Sequence, residues 1–241
     1  MLDLFSGIGG FALAASWVWA DRLELVGFCE IDPYCQQVLA NRWPKVPIFE
    51  DIKQLSADQF QDIDLITGGF PCQDISVAGQ GRGLEGERSG LWFEMLRLIS
   101  RIRPRYALIE NVPMLIHRGL GRVLCDLTQV GYDAEWQVIS AADVGAPHLR
   151  QRIWVVAYPT KFGSSGSGQF IDSCHQEKGG QGQAVEFIDE RFGSLWSVEP
   201  SMGRVAYGVP RRVDRLKSLG NAIVPQCAAL IMNQIRRNDE F

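Results

Sequence analysis

The 241-residue chain carries 24 basic and 28 acidic side chains for a net charge of −4, with 46% hydrophobic and 22% charged positions. This is an ordinary globular balance on a chain long enough to bury a full core, so collagen-like, disordered and disulfide-scaffold classes are excluded, and the acidic surplus leans mildly away from nucleic acid. No apolar run reaches the roughly 18 residues of a membrane span, Met1–Phe5 lacks the basic start of a signal peptide, and six scattered cysteines without CxxC pairs suggest neither zinc nor disulfides, as in a cytosolic protein with reduced thiols.

The first apolar run, Leu2–Phe5, reads as a strand; with only Met1 and Leu2 ahead of Asp3 it is expected to be stubby and to fray, with the true start open to lying upstream. It enters Asp3-Leu4-Phe5-Ser6-Gly7-Ile8-Gly9-Gly10 and then a helical stretch, Gly10–Ala20. Glycines let such a turn tighten and let the backbone approach a bound nucleoside. The next strand, Leu25–Cys29, delivers Glu30 twenty residues past Gly10, a spacing that suits a carboxylate accepting ribose hydroxyls. The full GxGxxG is absent, which favours an adenosine-type ligand over a pyrophosphate. On spacing alone, a tight turn and a solvated glutamate remain an equal reading.

Helix Pro33–Arg42 follows, then strand Asp64–Thr67 ending in Gly68-Gly69-Phe70-Pro71-Cys72-Gln73. A cysteine in a rigid Pro-Cys turn at a strand's carboxyl end is well placed as a nucleophile, although a single cysteine is more often a small buried hydrophobe. Residues 74–90 form a glycine-punctuated loop with Arg82 and Arg88, either a lid or an ordinary surface loop. After helix Leu91–Ile102, strand Tyr106–Ile109 ends in Glu110-Asn111-Val112-Pro113, which brings a carboxylate to the same crevice as Cys72. Cysteine and glutamate together can attack an unsaturated ring and supply a proton to it. Helix Leu120–Val130 and strand Glu135–Ser140 lead to Arg150-Gln151-Arg152 ahead of strand Ile153–Ala157. Alternate arginines in an extended chain share a face. The alternation of strands and helices predicts a largely parallel sheet with helices on both faces and ligands at the strands' carboxyl ends.

The composition changes at Pro159. Residues 159–200 hold seven glycines and six serines and a net charge of −3. From Ser201 the sign reverses: Arg204, Arg211, Arg212, Arg215 and Lys217 precede Gly220-Asn221-Ala222-Ile223-Val224-Pro225, and 226–237 reads as an amphipathic closing helix. The expected organisation is a catalytic and cofactor-binding region at 1–158, a small segment at 159–202, and a C-terminal stretch at 203–241 that returns to the first region.

Taken in order, these motifs resemble the DNA cytosine-C5 methyltransferase family. Residues 3–10 resemble its cofactor motif and Gly69–Gln73 its catalytic loop. Glu110-Asn111-Val112 is similar to the ENV motif, and Pro147-His148-Leu149-Arg150-Gln151-Arg152 to PQxRxR with histidine in place of the usual glutamine. Gly220–Pro225 is similar to GN(A/S)xxP. The resemblance implies an α/β, Rossmann-like, S-adenosylmethionine-dependent methyltransferase sheet with a reduced target-recognition lobe. It also implies double-stranded DNA as partner and a monomer of compact phage or bacterial style. A cognate restriction endonuclease is left open.

The same resemblance implies the roles. Cys72 attacks C6 of a flipped-out cytosine, Glu110 acts on N3, Arg152 contacts O2, and Arg150 steers the cleft's electrostatics. For S-adenosylmethionine, which leaves as S-adenosylhomocysteine, Phe5 stacks on adenine and Glu30 binds the ribose. Ile31 and Ile52 flank the ring, Asp51 accepts from the adenine amino group, and Leu91, Asn221 and Ala222 line the methionine end. Gly7, Gly9, Gly10 and Pro71 complete the cofactor set. Ile31 stands where some members have an aromatic residue, and His148 is expected to orient its loop. About 45 residues, acidic at their core, fill the place of the recognition region. Phosphate contacts are expected from Arg204–Lys217 and base readout from Gln169, His175, Gln176, Gln181 and Gln183. A transfer RNA cytosine-C5 methyltransferase and a cofactor-binding inactive homologue are the alternatives.

Overall fold

The computed structural model describes residues 1–71, 90–160 and 211–239. Cys72, the loop 74–89, Arg204 and the five candidate base-reading residues lie outside the described residues.

Seven strands form one sheet in the order β3-β2-β1-β4-β5-β7-β6. They are β1 (Leu2–Leu4), β2 (Gly27–Cys29), β3 (Ile48–Phe49), β4 (Leu65–Gly68), β5 (Tyr106–Asn111), β6 (Tyr132–Ile139) and β7 (Arg152–Pro159). The chain builds outward from β1 to β3, jumps back to β4 beside β1, and continues the other way. That reversal leaves a crevice above the carboxyl ends of β1 and β4. Only β7 runs against the rest, antiparallel to both β5 and β6.

Alternation along the strands divides the core. Leu2, Leu4, Ile66, Ala107, Ile109, Val155 and Ala157 face α3 (Gly90–Ile102) and α5 (Leu120–Gln129), which follows the single turn α4 (Leu115–Arg118). Leu65, Leu108, Trp154 and Val156 face α1 (Gly10–Trp19) and α7 (Pro225–Asp239). On α3, Trp92, Met95, Leu98 and Ile99 make one buried stripe at helical spacing. Helix α2 (Pro33–Arg42) starts on a strong signal: Pro33 occupies the first turn, and the Asp32 carboxylate accepts from the backbone N–H groups of Tyr34 and Cys35.

The first strand departs from expectation. Leu2, Asp3 and Leu4 are fully buried, because β1 pairs on both sides and sits mid-sheet. Central position, not length, protects it from fraying. The strand expected at Glu135–Ser140 runs instead from Tyr132 to Ile139, and Ser140 caps the following turn. The basic run becomes helix α6 (Arg212–Asn221), in which Ser218 is the one buried residue. No helix among the described residues is long and apolar enough to cross a membrane.

Candidate active site

A cleft of about 710 Å³ opens at the carboxyl ends of β1, β2, β4 and β5. Its wall includes Phe5, Gly7, Glu30, Ile31, Asp51, Ile52, Pro71, Leu91, Glu110, Arg152 and Asn221, gathered from eight separate stretches of chain. Pockets of this size suit small-molecule ligands.

The turn after β1 shapes one side. Gly7 and Gly9 take φ of 54° and 84°, a region open to glycine, and Phe5 itself sits at φ 54°, a conformation costing a side-chain-bearing residue about 1–3 kcal/mol. The turn is tied to β2 through one carboxylate. The Gly7 N–H donates to Glu30 Oε2 at 2.7 Å, and the Asp32 N–H donates to Oε1 at 2.8 Å. Each Glu30 oxygen thus spends one acceptor position on the backbone and keeps another for a ligand hydroxyl.

Gly9, Gly10, Ala222 and Arg150 fall outside this wall. A Cβ on Gly9 would stand 2.4 Å from Trp43, and one on Gly10 would stand 2.6 Å from Ile223. Both glycines therefore allow close packing behind the cleft. Arg150 Nη2 donates to the carbonyls of Gly220 and Ala222, at 2.6 Å each, and so holds the end of α6 where Asn221 faces the cleft.

At the opposite end, β5 lifts Glu110 into the cleft. The carboxylate is buried, and Arg152 Nε donates to its Oε1 at 2.8 Å. Burial pushes the carboxyl up to about 7 against the pull of Arg152 and Arg150, so the acid form is well populated near neutral pH. Gly69 is small for a reason: a Cβ there would lie 2.8 Å from Glu110 Oε2. Asn111 Nδ2 donates to the Phe70 carbonyl at 3.1 Å, and the Phe70 ring packs on Trp92 at 5.3 Å. These contacts fix the backbone up to Pro71, one residue before Cys72.

Several wall residues were not expected in the cleft, among them Lys217, which was expected to contact phosphate. Cys29, Cys35, Glu50, Lys217 and Ser218 all line the cleft. Lys217 Nζ reaches Asp32 Oδ2 at 2.7 Å, and Cys35 Sγ lies 3.5 Å from Ser218 Oγ, which together dock α6 on α2. The helix-start signature Asp32-Pro33, two residues after Glu30, was the available clue for Asp32.

The model of the C-5 cytosine-specific DNA methylase family matches residues 1–191. The chain belongs to that family. Among its relatives, Type II methyltransferase M.DsaV of Dactylococcopsis salina is 36% identical over 168 residues, spanning 66% of this chain and 46% of that protein. Type II methyltransferase M.HhaI of Haemophilus parahaemolyticus is 32% identical over 161 residues, spanning 65% of this chain and 48% of that protein. The chain thus spans about half the length of the relatives it matches. In solved structures, S. pombe Dnmt2 methyltransferase superposes with a TM-score of 0.68 at 16% identity, covering 100% of this chain and 99% of that one. A putative DNA modification methyltransferase encoded within a prophage of E. coli gives 0.65 at 19% identity, covering 98% of each chain. The chain shares the fold of these solved methyltransferases.

Proposed function

We propose that the protein transfers a methyl group from S-adenosylmethionine to C5 of cytosine in double-stranded DNA. The observation that carries this reading is the cleft itself, which joins a nucleoside-shaped end to a buried acid. At one end Glu30 offers free acceptor positions beside Phe5, Ile31, Asp51 and Ile52; at the other stand Glu110 and Arg152, one strand over from Pro71, the residue that precedes Cys72 in the sequence.

The donor set fits the cofactor. Glu30 would hold the ribose hydroxyls, Asp51 the adenine amino group, Phe5, Ile31 and Ile52 the ring faces, and Leu91, Pro71 and Asn221 the methionine end. When bound, S-adenosylmethionine supplies an electrophilic methyl group. C6 of a stacked cytosine is out of reach, so the base is flipped into the cleft at a cost of a few kcal/mol. The Cys72 thiolate adds to C6, and Glu110 gives its proton to N3, which neutralises the charge the attack creates. Arg152 donates toward O2 while its Nε keeps the Glu110 side chain in place. After C5 is methylated, water takes the C5 proton, the freed electron pair forms the C5–C6 double bond and expels the Cys72 thiolate, and N3 returns its proton to Glu110, which restores the aromatic ring. Arg150 acts from behind, through the carbonyls that place Asn221.

The test is transfer of labelled methyl to mixed-sequence duplex DNA, with RNA in parallel and the Cys72→Ala protein alongside. Incorporation at cytosine C5 of DNA by the unaltered protein, and none by Cys72→Ala with cofactor binding retained, is the expected result. Incorporation into RNA alone, or by Cys72→Ala, would overturn the reading.

A further inference from the structure

Between β3 and β4 the chain runs from Asp51 to Phe60 through two short 3-10 turns, Ile52–Gln54 and Ala57–Gln59. Apart from the contacts of Arg97, the hydrogen bonds of this stretch among the described residues are made within it: Asp51 Oδ1 accepts from Lys53, Gln54 bonds back to Asp51, Leu55 to Ile52, and Phe60 to Ala57. Yet this stretch supplies Asp51 and Ile52 to the cleft wall. A segment with local bonds only would let the Asp51 carboxylate, which lies outside the core, drift.

Arg97 supplies the missing anchor. It projects from α3, whose first turn carries Leu91 into the same cleft. Its Nη2 donates to the Ile52 carbonyl and to the Leu55 carbonyl, at 3.0 Å each, so one nitrogen bridges both ends of the turn. Its Nε donates to Glu94 Oε2 at 2.7 Å, one helical turn back, which sets the direction of the guanidinium. The Ile52 and Leu55 side chains are buried in the core beneath, so the turn is fixed from below by packing and from the side by Arg97.

We infer that Arg97 is a positioning residue for adenine selectivity, holding the Asp51–Leu55 turn so that the free oxygen of the Asp51 carboxylate faces the ring's amino group. The inference rests on the cofactor reading above and deepens it. A carboxylate held there favours an amino group and repels the carbonyl that replaces it in hypoxanthine. Selectivity for S-adenosylhomocysteine over S-inosylhomocysteine therefore measures how firmly Asp51 is held. A lysine at 97 can reach one carbonyl at a time; a methionine keeps the stem's packing and donates to neither.

The experiment is calorimetric titration of the whole protein, as unaltered chain, Arg97→Lys and Arg97→Met, with S-adenosylhomocysteine and with S-inosylhomocysteine. The Kd for S-adenosylhomocysteine is expected to rise about tenfold in Arg97→Met, the scale of one well-made charged hydrogen bond. The Kd for S-inosylhomocysteine should change far less, so the selectivity ratio collapses, with Arg97→Lys in between. If both ligands weaken by the same factor, Arg97 is merely structural and the inference falls. Unchanged affinities in Arg97→Met also overturn it, and Arg97→Lys decides in the same way should Arg97→Met not fold. Absence of binding by the unaltered protein would sink the cofactor reading itself, a result distinguishable from all of these.

Discussion

Asp3 lies at the centre of the sheet, wholly buried, with Oδ1 accepting the Thr67 hydroxyl at 2.7 Å and Oδ2 without a partner among the described residues. Burial pushes its carboxyl from 3.8 up to about 8, with Glu30 adding repulsion and Thr67 opposing it. The folded protein therefore keeps a proton that the unfolded chain releases above its ordinary carboxylate range. A raised folded value means that the contribution to stability is complete below 3.8 and is lost as pH rises toward 8. Inside that window one proton is at stake, so stability falls by about 1.4 kcal/mol per pH unit, or roughly 3 kcal/mol between pH 5 and pH 7. Asp3→Asn keeps an acceptor for Thr67 and cannot ionise. Urea unfolding of both proteins at pH 5, 6 and 7 should show the variant gaining on the unaltered chain by about 1.4 kcal/mol at each step. A difference that stays constant with pH would refute the reasoning and mean that Asp3 is already charged in the fold.

Two further outcomes follow from other contacts. Glu110, raised by burial to about 7, gives up its proton as pH climbs past neutrality; methyl transfer should decline on that alkaline side, and Glu110→Gln should lower the rate about 10²–10⁴-fold and abolish that limb of the pH profile. Gly10→Ala places a methyl group 2.6 Å from Ile223 Cγ1 and should cost about 1–3 kcal/mol of stability by chemical denaturation; Ile223→Ala in the same chain should recover most of that loss, whereas additive losses would argue against the contact.

Motifs with local causes were legible. The glycine turn after β1 and the helices α2 and α3 each depend on neighbours within a few residues, so the sequence displays them directly. What stayed hidden depends on distant partners. Strand β3 is two residues long, too short for any period to show. β6 begins three residues earlier than its apolar pattern suggests, because the half-exposed edge strand tolerates Asp133 and Glu135. The reversed direction of β7 leaves no trace in composition. Helix α6 buries only Ser218, so it offered no apolar face and read as a run of charge. At the site, Glu30, Glu110 and Arg152 could be picked out by their place beside strand ends, and Phe5 through the family resemblance. Arg97 and Lys217 could not, since their partners lie 45 and 185 residues away.

The bond pair from Arg150 to Gly220 and Ala222 has a consequence for how the molecule assembles. It joins positions 70 and 72 residues apart, and the helix that follows, α7, packs on α1 near the other end of the described chain. The wall that Asn221 contributes therefore depends on the docking of that helix and on the close approach of Ile223 to Gly10. Contacts between such distant parts form late, after local helices and hairpins. A nascent chain stopped before residue 220 would hold the Glu30 end of the cleft and the Glu110 end, but lack the side that closes between them. Ligand affinity is therefore expected to report on the packing of α7 against α1, because the Asn221 side of the cleft depends on it.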